Sequence, residues 1–167
     1  MKAAIVITPE SKTDALLYPS RKRVFLAGTI DMGNSENWQA EAIKTLADEH
    51  ICILNPRRVI SPENADEINF QINWELDQLE KADFVFMYFL PGSFSPITLL
   101  ELGFLLGRPC QLVVVCNSSY SRHMNVENTI KKFKDWHPDS NNTKLLDNFS
   151  DGIEELKKLL LLSEKHK

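Results

Sequence analysis

Short apolar runs of strand character alternate with stretches of helical periodicity along this chain, and that alternation leaves few folds open. Residues 24–28, 51–54, 84–90 and 112–116 are near-continuous apolar runs, each stopped by glycine, proline or a polar turn. Runs of this kind, apolar at successive positions, read as strands buried on both faces. Between them lie helical patterns. Trp38, Ala42, Ile43, Leu46 and Ala47 recur at helical spacing behind Ser35 as the expected N-cap. Residues 66–81 set Ile68, Ile72, Leu76 and Leu79 on one face, and residues 96–106, 123–135 and 151–162 complete the helices. Residues 144–146 are a candidate short fifth strand, and residues 3–7 either an edge strand or a terminus outside the sheet.

Strands joined through helices by short connections cannot form hairpins, so they imply a parallel sheet covered on both sides. The expected fold is α/β, a three-layer α/β/α, flavodoxin-like, doubly wound parallel sheet, with residues 1–167 as a single domain. The bulk properties agree. The 167 residues suffice for one core without staples, and 43% apolar with 25% charged residues is ordinary for a globular protein. A net charge of -4 argues against a nucleic-acid partner, and no stretch nears the roughly 20 apolar residues of a membrane helix. Cys52, Cys110 and Cys116 lie in or beside strand-like runs without a C-x-x-C pair, which reads as three reduced core thiols and a cytoplasmic location. His50, His123, His137 and His166 lack metal-ligand spacing.

In parallel sheets of this kind, ligands bind beyond the carboxyl ends of the strands. That rule selects residues 28–33, 55–58, 90–95 and 116 onward. The sharpest anomaly is Glu101. Ser95 at the N-cap and Pro96 at the first helical position open a helix that is apolar on nearly every side and is expected to be buried. Glu101 is its one charge, with Ile97, Thr98, Phe104 and Leu105 as helical neighbours. A buried carboxylate must be paired, protonated or aimed into a cleft, so a structural ion pair and a catalytic role both stand.

Glu75 lies near the apolar face of the helix over 66–81, either at a solvated rim or as a functional carboxylate. Asp83, where that helix meets a strand, suits turn or capping duty. The Gly28–Gly33 loop is either a ligand-approaching backbone or an ordinary tight connection. Arg57 and Arg58 suit a phosphate or an ion pair within the protein. Trp38 and Trp74 offer stacking surfaces or core packing.

Taken together, Phe25-Leu26-Ala27-Gly28-Thr29-Ile30, Asn55-Pro56-Arg57-Arg58, Trp74-Glu75 with Ala82-Asp83, and Glu101-Leu102-Gly103 resemble the nucleoside 2-deoxyribosyltransferases and their nucleotide N-glycosidase relatives. The resemblance covers about residues 24–116. It implies a flavodoxin-like fold, a homo-oligomer, no metal or organic cofactor, and a nucleoside or nucleotide with free base as partners. It implies cleavage of an N-glycosidic bond through a covalent glycosyl-Glu101 intermediate, with Glu101 as nucleophile and Glu75 as the acid that protonates or positions the leaving base. Phe25, the Gly28–Thr29 loop, Asn55, Arg57, Arg58, Trp74, Asp83 and Ser95 then fall around the substrate, with Trp38 a candidate stacking surface. Three residues depart from the pattern: Glu75 replaces a usual aspartate, Ser95 stands where some transferases have another, and Phe25 where tyrosine is common. The sugar acceptor is a second base in a transferase and water in a 5′-monophosphate N-glycosidase. A silent nucleotide-binding module is the reading from a different class.

Overall fold

The computed structural model describes residues 3–30, 34–139 and 142–165. Six strands, β1 (Ile5–Ile7), β2 (Lys22–Gly28), β3 (Ile51–Leu54), β4 (Phe84–Phe89), β5 (Gln111–Cys116) and β6 (Thr143–Leu146), form one sheet in the order β1-β3-β2-β4-β5-β6. The helices are α1 (Trp38–Thr45), α2 (Ala65–Lys81), α3 (Pro96–Leu106), α4 (His123–Trp136) and α5 (Phe149–Glu164). β3 runs parallel to both β1 and β2, and β5 runs parallel to β6. This is the expected parallel α/β fold of flavodoxin-like type. From β2 the chain winds outward to β3, then returns through α2 to place β4 on the other side of β2. That reversal is the topological switch point of the sheet. The run at 3–7 is resolved as an edge strand, with Ile5 opposite Cys52 and Ile7 opposite Leu54.

The contacts divide the described chain into two compact units, one formed by residues up to Leu26 with Ile30–Phe84, the other by Ala27–Thr29 with Val85 onward. The first has a core of Val24, Phe25, Leu26, Trp38, Ala42, Leu46 and the whole of β3, all buried. At the amino end of its strands the Asp83 carboxylate accepts hydrogen bonds from the Arg23 backbone N–H at 2.8 Å and from Arg23 Nε at 3.2 Å. The second is built on β4 and β5, with Val85, Phe86, Met87 and Val113 to Cys116 fully enclosed. Here α5 packs on the sheet, Phe149 standing edge-on to Phe86 at 5.6 Å between ring centres. Among the described residues no helix is long and apolar enough to cross a membrane.

Three local expectations change. The N-cap of α1 is Asn37, whose side chain accepts from the Ala40 N–H, while the Ser35 hydroxyl donates instead to the Ile30 carbonyl at 2.8 Å. Helix α1 also ends at Thr45, so Ala47 lies beyond it and is exposed. The stripe on α2 faces outward: Ile68, Ile72 and Leu76 are exposed, and of the four expected inward residues only Leu79 is buried. Periodicity identifies a stripe but not the surface that covers it. Likewise α3 buries only one side, through Thr98, Leu102, Leu105 and Leu106, leaving Ile97 (60%) and Leu100 (71%) exposed.

The α5–sheet contact depends on a residue without a side chain. A Cβ at Gly152 would overlap Val115 Cγ2 and meet Phe86 Cε2 at 3.1 Å. Overpacking of this kind costs about 1–3 kcal/mol, against roughly 1 kcal/mol gained from the better helix propensity of alanine. Gly152→Ala is therefore expected to lower the midpoint of urea unfolding; an equal or higher midpoint would show that α5 can lift off the sheet without loss.

Candidate active site

In the second unit the switch point is built from Gly28 and Thr29, which follow β2, and residues 90–95, which follow β4. Gly28 has φ 139°, a conformation L side chains rarely adopt, and this lets the Thr29 N–H reach the Tyr88 carbonyl at 3.0 Å. Thr29 is buried, and its hydroxyl accepts from the Leu90 N–H at 3.2 Å. It also lies within hydrogen-bond distance of the Ser95 hydroxyl, and at 3.1 Å from that of Ser93. Ser93 and Ser95 are 2.7 Å apart, and Ser93 Oγ donates to the Leu90 carbonyl at 2.7 Å. One donor order satisfies the circuit: Leu90 N–H to Thr29, Thr29 to Ser95, Ser95 to Ser93, and Ser93 back to Leu90.

Ser95 occupies the N-cap position of α3, as expected, but its side chain does not cap the helix. It sits at φ 43°, ψ 49°, the one positive-φ non-glycine residue among those described. Strain of this kind gathers at functional sites, and here it turns the hydroxyl toward Thr29 and Ser93. Tyr120, itself buried, donates to the Phe94 carbonyl at 3.0 Å. Burial pushes its phenol up, so it stays a neutral donor. Glu101 lies half-buried in the second turn of the helix that Ser95 begins, beside the buried Thr98, Leu102 and Leu105. Ser93 and Tyr120 carried no sequence signal beyond a P-G-S-F-S-P turn and an isolated aromatic after β5.

In the first unit Glu75 is half-buried on α2, where the Gln71 amide donates to its Oε1. Burial raises the Glu75 carboxyl above its ordinary value near 4.5, and the Gln71 hydrogen bond opposes that rise. Trp74, next to it, stands 6.4 Å from the buried Phe25 ring. Asn55 takes a turn role after β3, its side chain accepting from the Arg57 N–H at 3.1 Å. Arg57 ties down the entry to α1: Nη2 donates to the Ser35 carbonyl at 2.8 Å, and Nη1 to the Glu36 carbonyl and Gln39 Oε1 at 3.2 Å each. That engagement is the intra-protein alternative to phosphate binding. Arg58 pairs with Glu10 at 3.5 Å, and its Nη1 is buried without a hydrogen-bond partner among the described residues. Trp38 is 2% exposed, a core position. Asp83 is at the opposite end of the strands from β-strand carboxyl termini, held by Arg23. Asp31, Met32 and Gly33 of the glycine loop lie outside the described residues.

The cysteines offer no nucleophile. All three are buried free thiols, raised by burial, with Cys116 pushed up to about 12 by burial and by Asp147.

Residues 21–120, more than half of the chain, match the family described as nucleoside 2-deoxyribosyltransferase like. The chain belongs to that family. The matched span begins just before β2 and ends at Tyr120, so it takes in Glu75, Glu101 and the whole hydroxyl circuit. Among solved structures, a conserved protein from Enterococcus faecalis V583 is similar in fold, with a TM-score of 0.52 at 12% identity over 83% of this chain and 98% of that one. No curated protein matches.

Two outcomes follow from the geometry. Thr29→Val keeps the shape but leaves the Leu90 N–H without its acceptor, so it should cost about 1–3 kcal/mol in chemical denaturation; a loss below ~0.5 kcal/mol would mean that the circuit re-forms around the gap. Glu75 is raised in the folded state, so its protonated form stabilises the fold below the ordinary carboxyl value, and that contribution is lost as pH rises through the folded value. Glu75→Gln keeps an acceptor for Gln71, and so should unfold at a higher temperature than the parent at neutral pH. The advantage should vanish on acidification below about pH 4.5. A pH-independent difference would contradict the burial of a charge at this position.

Proposed function

We propose that the protein cleaves the N-glycosidic bond of a deoxynucleoside and passes the deoxyribosyl group to a second base. Glu101, in the E-L-G element of the matched family span, is the nucleophile. Its carboxylate oxygen attacks the anomeric carbon as the bond to the base nitrogen breaks, and the bonding pair leaves with the base through an oxocarbenium-like transition state. A departing base needs a proton, and Glu75 supplies it. In the second half-reaction the incoming base attacks the same carbon, the ester to Glu101 breaks, and Glu75 takes the proton back. Following the family resemblance, the Gly28–Thr29 loop is assigned to the sugar, and Ser95 and Trp74 to the base.

The observation that carries this reading is the state of Glu75. A carboxyl raised by burial, with no charged side chain among the causes of its shift, keeps its proton to higher pH than an exposed glutamate does, which suits the acid role. Glu101→Gln should reduce base release by about 10³-fold or more, and Glu75→Gln by about 10²-fold. In the parent, base release should fall as pH rises through the Glu75 titration, because the acid must be protonated. The assay is a deoxynucleoside incubated with a second free base. An exchanged nucleoside supports transfer, whereas binding without any base release would make the chain a silent nucleotide-binding module.

One observation favours a second reading, hydrolysis of a nucleoside 5′-monophosphate. The partnerless Nη1 of Arg58 is a buried donor of the type a phosphate oxygen would satisfy. Under that reading free sugar phosphate accumulates, and Arg58→Ala removes the preference for monophosphates. The outward apolar residues of α2, and separately those of α3, support assembly as a homo-oligomer. The buried, unpaired thiols fit a cytoplasmic location.

A further inference from the structure

We propose that Gln71 is a positioning residue for Glu75, anchored on the Pro56 carbonyl and holding one carboxyl oxygen so that the other faces the leaving base. The inference rests on Glu75 being the acid, and it adds a residue that neither the family resemblance nor the sequence pattern assigns. Gln71 lies one helical turn before Glu75 on α2, so both side chains rise from the same face. Its Nε2 donates to the Pro56 carbonyl at 2.9 Å and to Glu75 Oε1, which uses both amide hydrogens. The Pro56 carbonyl also fixes which way the amide is turned. A flipped amide would set its oxygen against that carbonyl, oxygen to oxygen, so the nitrogen must face Pro56 and Glu75.

That orientation leaves the amide oxygen worse off. Gln71 Oε1 is buried and has no hydrogen-bond partner among the described residues. An apolar side chain of similar length would leave no such orphan, so packing alone does not account for a glutamine here. What the glutamine supplies is a donor fixed between the turn after β3 and the carboxyl group. Because Glu75 Oε1 is already an acceptor, the transferable proton sits on Oε2. Each delivery of that proton leaves a carboxylate that Gln71 still stabilises, and burial does not then expel the charge by moving the side chain.

The test is Gln71→Met in the full chain, which keeps length and apolar contact but removes both donors. Two readouts are taken: the pH titration of the Glu75 carboxyl carbon by NMR, assigned by its absence in Glu75→Gln, and the pH profile of base release. Loss of the donor removes the one cause that lowers the Glu75 value, so the titration should move to higher pH. The alkaline limb of kcat should move with it, and kcat should fall on the order of 10-fold or more with KM little changed. An unfolding transition like that of the parent establishes that the variant is folded. A titration that does not move overturns the proposal whatever the activity. A titration that moves while the alkaline limb stays in place overturns the positioning role differently: the hydrogen bond stands, and Glu75 is not the acid.

Discussion

A parallel sheet cannot turn back on itself through hairpins, and this constraint governs the rest of the molecule. Every strand must be returned to its starting edge through a crossover connection, usually a helix. In this chain that return makes β2 the strand flanked by β3 on one side and β4 on the other. The ends of β2 and β4 are then left without a covering connection between them, and their backbone groups need partners from side chains. Thr29 answers that need by accepting from Leu90, and the two serines that follow β4 extend the answer into a closed set of hydroxyls. Left-handed geometry at Ser95 is the cost of turning a helix start toward this set, and the same turn launches α3 and sets Glu101 in its second turn.

The two carboxylates are held by different means. Glu101 rides on a helix whose inner side is packed with leucine and threonine and whose position follows from the turn at Ser95. Glu75 is held by a neighbour on its own helix, and that neighbour is pinned to the turn after β3. In the proposed reaction one carboxylate must be ionised to attack and the other must carry a proton. Burial of Glu75 shifts its carboxyl toward the second condition.

Much of the fold was legible before any coordinates, because continuous apolar runs and helix-start residues such as Pro96 are local signals. The bounds of α3 are those read from its sequence. Errors arose where a decision depended on what covers a surface. Ile68, Ile72 and Leu76 make a regular stripe, yet the packed side of α2 includes Gln71, Trp74 and Gln78, which apolar periodicity does not find. In the site, Glu75 and Glu101 stood out as charges in apolar settings. Ser93, Tyr120 and Gln71 did not, because each matters through a hydrogen bond to a residue distant in sequence or to a backbone carbonyl. Arg57 showed the reverse: a residue type suited to phosphate whose guanidinium is engaged by backbone and side-chain oxygens around the start of α1.

The central claim is a covalent bond to one named residue, and it can be trapped. A deoxynucleoside with fluorine at the 2′ position slows both half-reactions by destabilising the oxocarbenium-like transition state, so the glycosyl-enzyme should accumulate. Intact-protein mass spectrometry after such an incubation should show the mass of one fluorodeoxyribosyl group, peptide mapping should place it on Glu101, and Glu101→Gln should show no adduct. An adduct on another side chain, or unimpaired base release by Glu101→Gln, would contradict the account.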